Sequence, residues 1–534
     1  MQRESALDRL RADAGEFDIL IVGGGASGLG AAVDAAARGY RVALIEQADF
    51  AKGTSSRSTK LVHGGVRYLK QGDISLVMSA LKERGLLLRN APHLAHPLAF
   101  VIPNYSWFEG MYYAVGMAFY DRLAGKLSLG RSQRLSRDAT VEHLPTVETK
   151  GLASGVLYYD GQFDDARLAI NLAQTAAERG AVVANYCACV GLVKENGRVR
   201  GILARDTESG AEFRIRARVV INATGVFVDA VRQFDEPGAK PLVAVSQGVH
   251  LTLPRQFLPG TSALMIPKTA DGRVLFAIPW HDRLVVGTTD TPGVEPSLEP
   301  RAQSAEVDFI MEHARKYLAR DPVESDVLSV FTGLRPLVRR GGASNTAALS
   351  RDHTIDISGS NLITLTGGKW TTYRKMAEDV IDHAERVAGI THRPSLTAQM
   401  PVHGATTANT APAAWQVYGT DAGGIAALAQ KERGLDALLH PALPFRQAEV
   451  VWHARNEMAR TVEDVLARRT RALVLDARAS AAAAPVVARL LARELRRDDA
   501  WISAQVAAYT ELARGWLLPR ANLDPVFPPQ PMVA

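Results

Sequence analysis

Residues 17–46 read FDILIVGGGASGLGAAVDAAARGYRVALIE, and the fold turns on this stretch. FDILIV is apolar and rich in β-branched residues, the pattern of a parallel strand buried on both faces. Gly23, Gly25 and Gly28 follow as G-x-G-x-x-G. An alanine-rich helix then runs over residues 31–38 and stops at Gly39, and a second strand, 41–45, ends at Glu46. In such a unit the first glycine permits the tight turn. The second admits a pyrophosphate against the backbone, and the third lets helix and strand pack closely. Ser27 belongs to the same turn, and the helix N-terminus offers unpaired N–H groups to phosphates. Glu46 can accept hydrogen bonds from a ribose, and the absence of an arginine beside it argues against a 2′-phosphate. Strand, glycines, helix, strand and acid in this order predict a dinucleotide site, for NAD or FAD alike.

Two later stretches repeat the idea. Residues 218–225, RVVINATG, read as a buried strand running into a small turn that holds Ala223 and Gly225. Residues 361–375, NLITLTGGKWTTYRK, read as a strand, the pair Gly367-Gly368, then a helix. A strand feeding a glycine pair at a helix start suits an anion, and an ordinary βα turn fits the same residues. Reduced flavin carries its negative charge near N1 and O2, so such a terminus would favour its reduction.

Residues 54–70, TSSRSTKLVHGGVRYLK, crowd Arg57, Lys60, His63, Arg67 and Lys70 among small hydroxyls, with no local acid to balance them. The whole chain of 534 residues carries a net charge of +6 and a pI near 9.2. That balance favours anionic partners such as phosphorylated metabolites or acidic lipid. Nucleic acid is disfavoured, because the cations sit in fold motifs rather than in a stripe with stacking aromatics. Two cysteines, Cys187 and Cys189, exclude a disulfide framework and fit a reducing compartment. The first fifteen residues read as a charged helical leader without the apolar core of a signal peptide. No uninterrupted apolar run reaches the ~18 residues of a spanning helix. Residues 107–123, WFEGMYYAVGMAFYDRL, read either as a buried or subunit-contact helix or as one lying in a membrane interface.

Together these pieces resemble the FAD-dependent glycerol-3-phosphate dehydrogenase family over essentially the whole chain. The stretches that carry the resemblance are DILIVGGGASGLG, GTSSRSTKLVHGGVRYL, YYDGQFDDARL, NATG, IPWHDRLVVGTTD, GLRPL, SRDHTID and GGKWTTYRK, the second being the most diagnostic. Two departures are local: Val226-Phe227 stands where the family commonly has Pro-Trp, and PVHGA at 401–405 replaces a proline-glycine-glycine run.

The resemblance implies a glycine- and D-amino-acid-oxidase-like fold. It also implies FAD as cofactor, sn-glycerol 3-phosphate as substrate, dihydroxyacetone phosphate as product and a membrane quinone as electron acceptor. It places Thr54, Ser55 and Ser56 beside the cofactor, together with Gly23, Gly25, Ser27, Gly28, Glu46, Ala223, Gly225, Gly367, Gly368 and Lys369. Arg67, Tyr68, Arg335, Arg351 and Lys369 are expected to converge on the substrate, because arginines offer forked, charge-assisted bonds to a phosphate dianion. The expected reaction is hydride transfer from C2 to flavin N5 with loss of the C2 hydroxyl proton. His63 is expected as the base, with Arg335 and Lys369 stabilising developing charge. A histidine that only hydrogen-bonds the ligand fits position 63 equally. An oxidase passing electrons to oxygen, or an amine oxidase of the same fold, is the alternative. No metal is expected. A homo-oligomer, cytoplasmic and peripheral on the inner face of the cell membrane, is the expected form.

For organisation, the sequence predicts an α/β protein with a discontinuous Rossmann-like FAD domain over 16–95, 150–245 and 340–395. An inserted antiparallel-sheet substrate domain is expected at 96–149 and 246–338, with hairpins at Asp271-Gly272 and His281-Asp282. A helical C-terminal domain is expected at 413–517, after a linker at 400–412.

Overall fold

The computed structural model describes residues 1–12, 15–65, 74–267, 269, 272–339, 353–408 and 411–518. Phe17–Val22 forms the centre of the first sheet. It pairs in parallel with Val42–Ile45 on one side and Glu212–Asn222 on the other. Val182–Ala184 and Leu362–Gly367 extend the two flanks in parallel, and His353–Ile357 closes one edge antiparallel. Helices Ala26–Ala37, Asp165–Glu178 and Tyr373–Ala388 cover this sheet, which explains the near-continuous apolar runs of its strands. The parallel strands end side by side. Gly23, Glu46, Ala223 and Gly367, far apart in the chain, therefore meet at one edge, where open α/β sheets bind ligands.

The second sheet has ten strands and is largely antiparallel. Its spine is the long strand Val243–Pro254, paired along its length with Ser329–Val338. The hairpin expected at His281-Asp282 joins Leu275–Trp280 to Arg283–Gly287 through the pair Trp280 and Arg283. Ala263–Ile266 pairs antiparallel with Leu275–Trp280, although Asp271 itself lies outside the described residues. Helix Ser304–Tyr317 packs on this sheet.

One range differs from the sequence reading. Ser154–Phe163 lies within 150–245, yet it pairs from end to end with Ala95–Asn104 in the second sheet. Leu61–Val62 joins the same sheet by pairing with Ser154–Phe163. The strand is buried on both faces, and a run with that pattern reads alike whether its neighbours are parallel or antiparallel.

Beyond residue 412 the described chain is helical and includes a π-helical turn at Asp464–Arg469. Its apolar core runs on into the second sheet through Trp280, Val285 and Phe331. Against the first sheet the same domain presents ions instead. Arg468 Nε lies 2.5 Å from Asp49 Oδ2, and Arg469 also binds Asp49. Arg167 grips Glu457 through two bonds of 2.7 and 2.9 Å. These groups are buried, so removing any one partner would strand a charge in a low-dielectric interior.

The N-terminal helix Arg3–Arg11 is docked rather than free, with Arg3 bonding the Asn185 and Tyr186 carbonyls and Asp206. In helix Trp107–Ala124, Met117 and Tyr120 turn into the core. Phe108, Met111, Tyr112, Val115 and Phe119 face outward, with Phe108 80% exposed. Among the described residues no helix is long and apolar enough to cross a membrane. Cys187 and Cys189 are both free thiols.

Candidate active site

A cavity of about 750 Å³ begins at the glycine turn and runs along the strand ends into the space under the second sheet. Gly23, Gly25, Ser27, Glu46, Thr54, Ser55, Ala223, Gly225, Gly367, Gly368 and Lys369 line it, as do His63 and Arg335. Arg67, Tyr68 and Arg351 lie outside the described residues. Gly28 and Ser56 are not lining residues. Gly28 serves packing, since a Cβ there would stand 1.9 Å from the Gly23 carbonyl oxygen. Ser56 is buried, and its carbonyl points to cations behind the turn.

The glycine turn leaves room for a phosphate group. Gly23 has φ +115, and a Cβ on it would strike the Ala223 carbonyl at 2.6 Å. The helix starts at Ala26, and the Ala26 N–H is held by Ser55 Oγ at 2.9 Å. Glu46 accepts from the Gly24 N–H at 2.6 Å and the Ala48 N–H at 3.0 Å, which aims its carboxylate along the strand end. Burial raises its pKa, and the two backbone donors oppose that rise. Such a cradle fits the pyrophosphate and ribose of FAD. At the far end Gly367 and Gly368, with φ +78 and +74, turn the chain into the short helix Trp370–Thr372 and then Tyr373–Ala388.

The turn Thr54–Ser56 and the residues after it form the wall between these ends. Thr54 Oγ1 donates to the Leu334 carbonyl at 2.6 Å, and Trp370 Nε1 donates to the Ser55 carbonyl at 2.8 Å. The His63 N–H donates to Thr371 Oγ1 at 3.2 Å, so the imidazole-bearing segment is tied to the short helix that follows Gly367-Gly368.

Arg335 is bonded on several sides. Its Nη1 reaches the Gln247 carbonyl at 3.2 Å and Asp290 Oδ1 at 3.4 Å, and its Nη2 reaches Thr288 Oγ1 at 3.1 Å and the Thr289 carbonyl at 3.0 Å. The guanidinium lies flat over Gly248, where a Cβ would meet it at 2.3 Å. Arg273 lines the same cavity with Nη1 3.9 Å from Asp290 Oδ2. Two cations of the 54–70 stretch, Arg57 and Lys60, have acids supplied from elsewhere in the chain. Arg57 pairs with Glu299 at 2.8 Å and lies over Trp516, and Lys60 pairs with Asp165 at 2.7 Å.

The sequence reading missed His250. Its Nε2 shares a hydrogen bond of 2.9 Å with Thr59 Oγ1, and its ring stacks on Phe331 at 4.7 Å between centroids. Burial first, then the charges of Arg335 and Lys60, hold its pKa well below the ordinary value, so the ring is neutral near pH 7. Position 250 falls on one face of an apolar strand, and no local signal sets it apart from a core histidine. Asp382, Glu385 and His392 also cluster, but Arg38 Nη1 already sits 2.6 Å from Asp382 and 3.0 Å from Glu385.

Residues 18–374 match the FAD dependent oxidoreductase family, and residues 355–502 match the C-terminal domain of alpha-glycerophosphate oxidase. The mitochondrial glycerol-3-phosphate dehydrogenase of Homo sapiens is 40% identical over 533 residues, covering 93% of this chain and 73% of the relative. That of Arabidopsis thaliana is 40% identical over 541 residues, covering 93% and 85%. A crystal structure of glycerol-3-phosphate dehydrogenase from Bacillus halodurans complexed with FAD superposes with a TM-score of 0.80 at 27% identity, covering 98% of this chain and 99% of that one. Glycine oxidase from Geobacillus kaustophilus, at 19% identity and a TM-score of 0.54, shares the fold alone. With FAD as its cofactor, this chain belongs to the FAD-dependent glycerol-3-phosphate dehydrogenase family.

Proposed function

We propose that the protein oxidises sn-glycerol 3-phosphate to dihydroxyacetone phosphate and passes the electrons to a membrane quinone. The observation that carries this reading is a guanidinium, Arg335, fixed in the wall of the same cavity that holds the flavin turn at Gly367-Gly368. A phosphate dianion suits such a group, because charge-assisted forked bonds repay its desolvation. Arg67, Tyr68 and Arg351 are assigned to the phosphate on their motifs alone.

FAD, held by the glycine turn at 23–28, Glu46 and the Gly367-Gly368 turn, would supply the acceptor for the C2 hydride. The C2 hydroxyl proton goes to His63, whose segment is anchored to Thr371 beside the flavin turn. Arg335 and Lys369 stabilise the negative charge that develops on the C2 oxygen. The Thr59–His250 pair, with its ring neutral, positions the turn that faces the substrate.

The outward row Phe108, Met111, Tyr112, Val115 and Phe119 supports delivery to a membrane acceptor, since a helix with that face can lie in a lipid interface. A second reading, oxidation by oxygen, draws on the match of residues 355–502 to an oxidase's C-terminal domain.

The test is to mix purified yellow protein with glycerol 3-phosphate under argon and follow the flavin absorbance. Bleaching with glycerol 3-phosphate but not with glycerol is expected. An unbleached flavin would end the proposal. Peroxide release in air, measured beside reduction of a soluble quinone, separates oxidase from dehydrogenase. Flotation with anionic vesicles at low salt tests attachment, with Val115→Asp expected to weaken it. Recovery wholly in the soluble fraction would remove the membrane role.

A further inference from the structure

The peptide between Ser56 and Arg57 is gripped on one side by two buried cations. Lys60 Nζ donates to the Ser56 carbonyl at 2.7 Å, and Arg471 Nη2 donates to the same oxygen at 3.2 Å. On its other side, the Arg57 N–H closes the turn on the Thr54 carbonyl at 3.1 Å. A carbonyl polarised by two cations makes its own N–H a better donor, so the two sides reinforce each other.

Asp165 ties the same groups together a second time. Its Oδ2 accepts from Lys60 Nζ at 2.7 Å, from the Ser58 N–H at 3.0 Å and from Ser58 Oγ at 2.7 Å. Its Oδ1 accepts from Arg471 Nη2 at 2.9 Å. Lys60 itself has a left-handed backbone, φ +64, and is fully buried, with Trp280 and Phe331 ring centroids 5.4 and 5.1 Å from its Nζ. A non-glycine residue keeps that conformation only where its surroundings enforce it. Arg471 comes from the C-terminal helical domain, more than 400 residues away from the turn it holds. It too is buried, over Trp280 at 5.4 Å, with Nη1 on the Ala467 carbonyl at 2.7 Å.

The front of this turn is the cofactor wall: Ser55 Oγ holds the first helical N–H at Ala26, and the Ser55 carbonyl holds Trp370 next to Gly367-Gly368. We propose that the C-terminal helical domain completes the flavin site, with Arg471, braced by Lys60 and Asp165, as the positioning residue that sets the 54–59 turn against FAD. The inference rests on FAD binding and is independent of which substrate is oxidised.

Substrate-free holoprotein provides the test. Arg471→Gln removes one cation from behind the turn and leaves Asp165 and Asp164, the latter 3.3 Å from Arg471 Nε, less compensated, a field that opposes extra negative charge on the cofactor. The FAD dissociation constant, read by fluorescence of released flavin, should rise on the order of tenfold. The flavin midpoint potential, read by dye equilibration, should fall, and Arg471→Lys should recover part of both. Tyr509→Phe, which removes a hydroxyl bonded to Ser480 in the same domain, serves as the stability control. It should leave FAD affinity and potential unchanged even where its Tm drops. Wild-type affinity and potential in Arg471→Gln overturn the proposal, as does an equal FAD loss in Tyr509→Phe. If Arg471→Gln is insoluble, Arg471→Lys decides: weakened FAD and a lowered potential support the role, and wild-type values refute it.

Discussion

Arg335 and Asp290 face each other in the cavity wall, Nη1 3.4 Å from Oδ1, so the cation proposed to bind substrate already has a counter-ion before any ligand arrives. The guanidinium is held by this carboxylate and by backbone carbonyls, leaving it preorganised and 29% exposed toward the cavity. Arg335→Gln should lower kcat/KM for glycerol 3-phosphate roughly 10- to 100-fold, the worth of one charge-assisted interaction. Gly248→Ala should lower it in the same direction, because the new Cβ would fall 2.3 Å from the guanidinium. Steady-state kinetics on both variants check this, and an unaffected kcat/KM in Arg335→Gln removes Arg335 from substrate binding.

Two histidines, His63 and His250, line the cavity, and pH separates them. His250 is kept neutral by burial and by neighbouring cations, so it does not titrate across the physiological range. A pH dependence of anaerobic flavin reduction that disappears in His63→Gln would assign the proton to His63. His63→Gln should slow reduction by about 10²- to 10⁴-fold and flatten the profile. His250→Asn should keep the profile while lowering stability, through loss of the Phe331 stack and the Thr59 bond. A profile that survives His63→Gln transfers the role elsewhere.

The glycine turn predicts two different failures. Gly28→Ala drives a Cβ to 1.9 Å from a backbone oxygen, so the soluble yellow protein should be lost. Gly25→Ala meets only Ser55 Oγ at 3.0 Å, so the fold should survive with weakened FAD. Expression yield and the ratio of flavin to protein absorbance distinguish the two.

Buried carboxyls at the C-terminal domain set opposite pH dependences. Burial works to raise the Glu457 carboxyl, but Arg167 above all, with His453 and Arg469, holds it at about 2 against an ordinary 4.5. Its contribution is full above pH 4.5 and is lost as pH falls toward 2. Burial pushes Glu449 up to about 7 from 4.5, against donation by the Arg446 N–H and Tyr418 Oη. Folding then favours the protonated form, so stability falls as pH rises from 4.5 through 7. Glu449→Gln should match the parent at pH 4 and exceed it at pH 8 by roughly 1–3 kcal/mol, because the neutral amide carries no buried charge to desolvate. Tm measured across pH 4–8 checks the sign.

Much of this molecule was legible in order along the chain. The strand, glycines, helix and acid of residues 17–46 are local, because each piece is set by periodicity, turn geometry and backbone sterics within a few residues. The glycine pair at 367–368 and the His281-Asp282 hairpin were readable for the same reason.

Residues whose role depends on a distant neighbour were not readable. Arg57 and Lys60 look like free cations in their own segment, yet Glu299 and Asp165 neutralise them. His250 looks like a core residue until Thr59 and Phe331 surround it. Ser154–Phe163 joined the second sheet because pairing partners, not hydrophobic pattern, decide which sheet a doubly buried strand enters.

The amino-acid order alone therefore determined the nucleotide cradle, which is a matter of backbone conformation and close approach between neighbours in sequence. Only the folded chain decided where the charges point. Electrostatic partners are chosen by distance in space, and Arg471 reaches the Thr54–Ser56 turn from a domain whose own sequence carries no mark of that contact.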